Sequence, residues 1–456
     1  MNHNKNVVVF TLVTTFLLLV YSVFAAITHT NYFSLNKVSI LSDVFKEPKK
    51  PLPLNSAGPA LVSGPKTTNA VYTEVAIGGR SLDEYTHGKA ITSFYVDTSK
   101  SALPALMAKL NALKQGKKQK IRIAWLGDSM IEGDLLTQTF RKRMQQFFGG
   151  FGVGFIPATS VTAGFRSTAT HKWKGDWKEE SFKSTSLTAP LFLSGHTFFT
   201  ADGELIIKDG TIKDTLQPLL KSLICGYAAG TVAVTVNGQP KQYQAGKLIN
   251  RLLLDSSTSH TIDITIQNDK LPVYGISMEP QSGVVVDNFS FRGITGLELG
   301  KLDTGFLQAV QTESPYDLVV LEYGANLMFR PDDMDYTWYQ KHIVQVVKKL
   351  RKAMPNTEFL IISTADRAFP YDGTWKTAVG IDNLVKIQAE LAYDNNIAFY
   401  NMYSNMGGAG TIVSWADTTP SLANKDYIHP NQRGAEILGN MVFEAFMSDM
   451  QKVAKK

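Results

Sequence analysis

Cysteine is almost missing: the 456-residue chain has one, Cys225, set in an apolar run. A single thiol makes neither a disulfide framework nor a cysteine zinc site, and it leaves the redox compartment open. Charge is sparse as well, at 19% Asp, Glu, Lys and Arg with a formal net charge of +6. The lysines are scattered, as in "KQGKKQK" at 114–120, and no basic stripe interleaved with aromatics tracks a nucleic-acid backbone. The basic excess therefore reads as a solvated surface, and nucleic acid is not expected as a partner. No internal repeat is found. The glycines of "GGFGVGF" at 149–155 follow a helical pattern without Lys-Ser/Thr, so they read as a plain loop and not as a phosphate cradle. Nothing asks for a cofactor or a metal. What the chain does have is apolar mass, 44%, enough for a large core in two domains with extras.

Acidic residues are absent from the first stretch. Val7 to Ile27, "VVVFTLVTTFLLLVYSVFAAI", carries no charge, and only the amino terminus and Lys5 precede it in the short tail 1–6. As a helix it rises roughly 30 Å, about one hydrocarbon thickness. A cationic flank favours a single-pass anchor with a cytoplasmic N-terminus and the rest of the chain in the periplasm or outside. The competing reading is a cleaved signal peptide ending near "FAA", which leaves a secreted or periplasmic protein. Residues 28–70, with "FKEPKKPLPLNSAGPALVSGPK", read as a Pro/Gly/Lys linker.

Residues 71–166 contain a helical leucine pattern, "SALPALMAKLNALKQGK", then a β-rich run "IRIAWLG" and a helix "LLTQTFRKRMQQFFGG". Residues 286–456 return to this alternation, with strands "YDLVVLEYG", "TEFLIIST" and "IAFYNM" between amphipathic helices. Strands alternating with helices predict a parallel sheet covered on both faces. Residues 167–285 differ. "TVAVTVNGQPKQYQA" and "RLLLDSSTSHTIDITIQN" alternate with period two and break at turns such as Asn237-Gly238, which predicts an inserted β-sandwich module. Trp173, Trp177 and Tyr227 in or near it read as core packing, with sugar stacking as the alternative.

"LGDSMIEGD" at 126–134 ends the first strand. Ser129 there is either a nucleophile or part of an ordinary capped turn. A serine needs a base. Of eight histidines, His3 and His29 flank the apolar segment. His171 and His196 have no acid at helical spacing, His87 and His260 lie in polar or β contexts, and His342 sits in an amphipathic helix. His429, in "KDYIHPNQRGAEILG", follows Asp426 by one turn, so the carboxylate can hold the imidazole. Pro430 is expected to open the last helix. Asn326, in "YGANL" after a strand, could donate to a developing oxyanion, and the glycines of "VVVDNFSFRGITG" let a backbone N–H approach a ligand. "GDSMI" is not a G-x-S-x-G elbow, because position 131 is Ile.

This order, Ser in a GDS turn, then Gly, Asn and D-x-x-H-P, resembles the SGNH (GDSL-type) hydrolase family over about 90–165 and 285–447. The resemblance implies an α/β fold with a flavodoxin-like parallel sheet between helices. It matches Ser129 to the nucleophile and Gly293 to the Gly block, with Gly296 as the other candidate. Gly324 and Asn326 match the Asn block, where Leu327 replaces the family's usual acid, and Asp426 and His429 match the last block. "GDSMIEGD", "FGGFGVGFIP", a β-rich insertion and "GVVVDNFSFRG" look most like the peptidoglycan O-acetylesterase branch, whose extended block includes Asp134. The resemblance implies an exported serine esterase acting on an O-acetylated envelope glycan without a cofactor or metal. Ser129, Asp426 and His429 would be catalytic. Ser129, Gly293 and Asn326 would hold the oxyanion, with Asp128 and Asp134 in support. Two rivals stand beside it. One is an O-acetyltransferase with the same triad, fed by a membrane-bound acyltransferase. The other is a non-catalytic glycan-binding protein.

Overall fold

The computed structural model describes residues 15, 88–93, 99–212 and 216–454. Apart from Thr15, the tail 1–6, the anchor or signal segment 7–27 and the linker 28–70 lie outside the described residues. Among the described residues no helix is long and apolar enough to cross a membrane. The residues from Tyr72 onward form one unit.

Helix α1 (Pro104–Lys114) begins with a proline in its first turn, where the missing N–H costs no bond. Strand β1 (Lys120–Gly127) is buried over most of its length, as a parallel strand with two covered faces must be. Its Ile121, Ile123 and Trp125 enter one core, while Ala124 and Leu126 enter the other. Helix α2 (Thr137–Phe148) follows. Then come β2 (Gly154–Pro157), β3 (Ala169–Lys174), β4 (Trp177–Ser181), β5 (His196–Asp209), β6 (Leu219–Gly226), β7 (Thr231–Val236), β8 (Gln239–Gln244), β9 (Ile249–Ser257) and β10 (Thr261–Glu279). The chain returns to the α/β part with β11 (Gly283–Ser290), α3 (Thr304–Glu313), β12 (Leu318–Glu322), α4 (Thr337–Ala353) and β13 (Glu358–Ile362). A hairpin, β14 (Ala368–Tyr371) with β15 (Thr374–Thr377), precedes α5 (Ile381–Asp394), β16 (Ala398–Tyr400), α6 (Met402–Met406), α7 (Thr411–Asp417) and α8 (Gln432–Ala454).

The parallel sheet runs β11-β1-β12-β13-β16. Counted within the α/β part this is the order 2-1-3-4-5, the flavodoxin-like arrangement. One face is covered by α1, α2 and α8, whose Leu106, Phe140, Met144, Leu438 and Phe446 share a core. The other is covered by α3, α4 and α5 through Phe306, Val310, Ile343, Val347 and Leu384.

Two features refine the sequence reading. The strands of the inserted module are hydrogen-bonded into one nine-stranded network because its two halves share a strand, and both halves bury side chains in one core. The long β10 changes partners along its length: residues 261–266 pair with β5 and β7, and residues 273–279 with β6 and β2. A period-two pattern shows which face a strand buries, not which strands bond to it. The module also extends beyond 167–285 at its front and stops short of it at its end. β2 bonds β10, and Gly283 already belongs to the parallel sheet. The second half of β10 is buried on both faces because it lies between two cores. Tyr274 from this half stacks on Phe192 and meets Phe306 of α3 edge-on.

Within the module, Trp177 is partly buried in the core and covers Gly203, where a Cβ would meet its ring at 2.4 Å. Trp173 and Tyr227 are exposed instead of packed. Cys225 is a free, buried thiol, and burial pushes its pKa up to about 12, which keeps it inert.

Candidate active site

β1 has β11 on one side and β12 on the other, so the connections that leave the carboxyl ends of β1 and β12 run in opposite directions. A crevice opens at such a switch point. Ser129 leaves β1 into it, and Asn326 leaves β12.

Asp128 caps a short 3₁₀ turn, Ser129–Asp134, by accepting from the Met130 N–H at 2.9 Å. Ser129 Oγ lies 2.9 Å from His429 Nε2. The cap and the hydroxyl–imidazole contact thus coexist, on neighbouring residues. Gly127 is required by space, since a Cβ there would approach Ile131 to 2.9 Å and the Glu322 carbonyl to 3.0 Å.

His429 Nδ1 is 2.7 Å from Asp426 Oδ2. Asp426 Oδ1 accepts from the Ile428 and His429 N–H groups at 2.9 and 3.0 Å. Tyr427 between them has φ 55°. The Asp–His alignment therefore comes from a tight Asx-type turn and not from a helical turn. Pro430 does not open the last helix. It bridges to Ala423, and Asn431 caps the helix by accepting from the Arg433 N–H. Burial raises the Asp426 pKa, but hydrogen bonds from His429 and the turn outweigh it and hold the carboxyl at about 2. An ionised Asp426 fixes the proton on Nδ1 and leaves Nε2 to accept from Ser129.

Asn326 Nδ2 donates to Asp128 Oδ2 at 3.1 Å and to the Ile294 carbonyl at 2.9 Å. Both amide hydrogens are thus engaged, and donation to a substrate oxygen requires sharing or releasing one. Gly293 is exposed at φ 77°, with no atom within 4 Å of a Cβ position, and among the described residues no backbone carbonyl accepts its N–H. Gly296 is held by packing, because a Cβ would meet the Tyr323 ring at 2.9 Å. Leu327, in place of the family's acid, is fully buried, and its N–H bonds to Gly324. Asp128 is buried, which pushes its pKa up to about 6 against the hydrogen bonds from Met130 and Asn326.

Asp134 is not beside Ser129 and His429. Its carboxylate is held by Arg141 at 2.6 and 2.8 Å, by Thr137 at 2.7 Å, by Thr168 at 2.6 Å and by Arg166 at 3.4 Å. Burial opposes ionisation there, yet the two arginines hold the pKa well below the carboxylate range. Arg166 and Thr168 come from the start of the insertion, so Asp134 ties the Ser129 turn to the module.

Several further residues were not singled out by the sequence reading. Glu322, at the end of β12, accepts from Trp125 Nε1 at 2.7 Å, and burial pushes its pKa up to about 8. Its place in "LVVLE" as the one acid of a buried strand was the available clue. Arg367 donates to the Ala325 carbonyl and lies 4.5 Å over Phe369. Trp375 of β15 stacks on Tyr427 at 4.3 Å. His196 has a carboxylate after all, Glu179 at 2.8 Å, supplied by the adjacent strand and so invisible to helical spacing. His171 bonds the Ala158 carbonyl, and His342 the Trp338 carbonyl.

Residues 269–437 match the model of the GDSL-like lipase/acylhydrolase family. That segment holds Gly293, Asn326, Asp426 and His429 but not Ser129, which the insertion separates in sequence and the fold returns. No curated protein matches the chain. Among solved structures, a peptidoglycan O-acetylesterase superposes with a TM-score of 0.65 at 23% identity, covering 80% of this chain and 99% of that one. A lipase/acylhydrolase from Enterococcus faecalis has a TM-score of 0.26 at 17% identity, covering 37% and 77%. A family two carbohydrate esterase from Cellvibrio japonicus has 0.27 at 10% identity, covering 61% and 99%. In its strand order and its matched segment, the α/β domain is similar to the GDSL-like lipase/acylhydrolase family.

Proposed function

We propose that the protein is an exported serine esterase that removes O-acetyl groups from a carbohydrate, namely peptidoglycan or another cell-envelope glycan. The observation that carries this reading is the unbroken relay Asp426–His429–Ser129, with contacts of 2.7 and 2.9 Å. Ser129 Oγ attacks the acetyl carbonyl while His429 Nε2 takes its proton. The negative oxygen is received by the Ser129 and Gly293 N–H groups and the Asn326 amide. The intermediate collapses, the sugar oxygen leaves, and His429 returns the proton to it. Water then attacks the acetyl-serine, again with His429 as base, and releases acetate. Asp426 stays ionised throughout. Asp128 orients the Asn326 amide, and Asp134 braces the turn. Asp426 and His429 are partly open to solvent, with 42% and 31% of their side chains exposed, which favours water as the acyl acceptor over a glycan hydroxyl.

Export rests on the uncharged segment Val7–Ile27, which acts as the membrane anchor in this reading. The choice of glycan rests on the superposition with the peptidoglycan O-acetylesterase. The test is acetate release from O-acetylated peptidoglycan and from other acetylated glycans by wild type and Ser129→Ala. Wild type is expected to free acetate and the variant not. Acetyl transfer to an added saccharide without acetate would replace the esterase reading with the transferase one.

A further inference from the structure

A cavity of about 220 Å³ lies at the seam between the nine-stranded sheet and the Ser129 turn. Its near wall holds Glu132 and Gly133 of that turn, with Ser290, Phe291 and Arg292 just before Gly293. Its far wall comes from the module and includes Lys183, Ser194 and His196. Neither Ser129 nor His429 lines it, so it is a separate compartment on the Gly293 side of the site.

Two groups in it are uncommitted. Ser194 Oγ is buried without a hydrogen-bond partner among the described residues. Buried hydroxyls are nearly always satisfied, so one left open on a cavity wall calls for a polar occupant. The Lys183 ammonium rests over the Phe291 ring at 5.6 Å, not on a carboxylate. The nearby acids are taken: Glu179 by His196 at 2.8 Å, Glu132 by Arg292 at 2.6 Å, and Asp134 by Arg141 at 2.6 Å. Among the described residues the cavity wall thus offers the Lys183 ammonium, which makes no ion pair though it lies in the field of Glu179, and one unpartnered buried hydroxyl, while Phe291 is buried and stacked on His196 at 4.7 Å. Its volume is below the ~300 Å³ at which pockets for drug-sized ligands begin, which suits a single ring.

The geometry points to a second subsite, for a carboxylate-bearing group of the glycan beside the acetyl that reaches Ser129. Lys183 pairs with the carboxylate, and Ser194 bonds a hydroxyl of the occupant. This inference rests on the glycan-esterase reading of Ser129 and adds the feature of the substrate that the module recognises.

The test compares kcat/KM on O-acetylated peptidoglycan with kcat/KM on 4-nitrophenyl acetate, which has no sugar to bind. Wild type, Lys183→Ala, Lys183→Glu and Lys183→Arg are measured at several salt concentrations. Lys183 is exposed, so these variants keep the fold. The ratio of glycan to aryl-acetate kcat/KM is expected to fall about tenfold in Lys183→Ala through KM, and further in Lys183→Glu. Lys183→Arg should restore most of it. Ser194→Leu, which fills the cavity, should lower the same ratio. Ratios within twofold of wild type in both Lys183→Glu and Ser194→Leu would overturn the subsite while leaving the esterase reading intact. A wild type that hydrolyses 4-nitrophenyl acetate but frees no acetate from any glycan would sink the substrate reading, and the subsite with it.

Discussion

The two ends of the Ser129 turn are six residues apart, and both carry a fully buried aspartate. Asp128 faces the switch point, where its partners are neutral N–H groups and the Asn326 amide. Burial wins there and its pKa rises to about 6. Asp134 faces the module, where Arg141 and Arg166 overwhelm the same burial and drive its pKa far down. Equal burial thus gives opposite charge behaviour, because the partners and not the depth decide. One end of the turn is tuned for the site. The other is an ionic rivet between the α/β domain and its insertion.

This contrast can be broken from either end. The largest effects belong to the relay between the ends and its partners. Ser129→Ala or His429→Ala should lower esterase kcat by about 10³- to 10⁶-fold without changing Tm by more than a few degrees. Asn326→Ala should cost about 10²- to 10³-fold in kcat, the range for losing one oxyanion donor. At the module end, Asp134→Ala leaves Arg141 buried and uncompensated. It should cost about 3–5 kcal/mol of stability, read as a fall in the denaturant midpoint. At the site end, Asp128→Asn should do the reverse, with activity lower by about tenfold as Asn326 loses its anchor and stability nearly held.

The smallest effect is a pH signature that differs in sign. Asp128 has a raised folded pKa, so its contribution to stability is full below about 3.8, the unfolded value, and is lost as pH rises through about 6. The Tm of Asp128→Asn relative to wild type should therefore climb between pH 4 and pH 8. Asp134 has a lowered folded pKa, so its contribution is present above about 3.8 and fades as the solution is acidified below that. Paired thermal melts of the two variants across pH check both signs at once.

The α/β part was legible because its strands are short, buried on both faces and separated by amphipathic helices. Its catalytic candidates were legible because Ser129, Asn326 and Asp426–His429 each lie in a short segment that follows a strand or precedes a helix. The module was less so. Its strands exchange partners along β10, and alternation of side chains carries no record of hydrogen-bond partners. The Glu179–His196 pair and the Lys183–Ser194 cavity depend on strands brought together only by that sheet. Even inside the α/β part, the Asp426–His429 alignment arose from a turn with a left-handed Tyr427, a geometry that residue spacing cannot distinguish from a helical one.

The central claim is that Ser129 carries the acyl group. The direct measurement is rapid quenching of the protein during turnover of 4-nitrophenyl acetate, followed by peptide mass mapping. An added acetyl on the peptide containing Ser129, absent in Ser129→Ala and in His429→Ala, is the predicted result. An active wild-type protein whose acetyl sits on another residue, or a Ser129→Ala variant with undiminished turnover, would contradict the account.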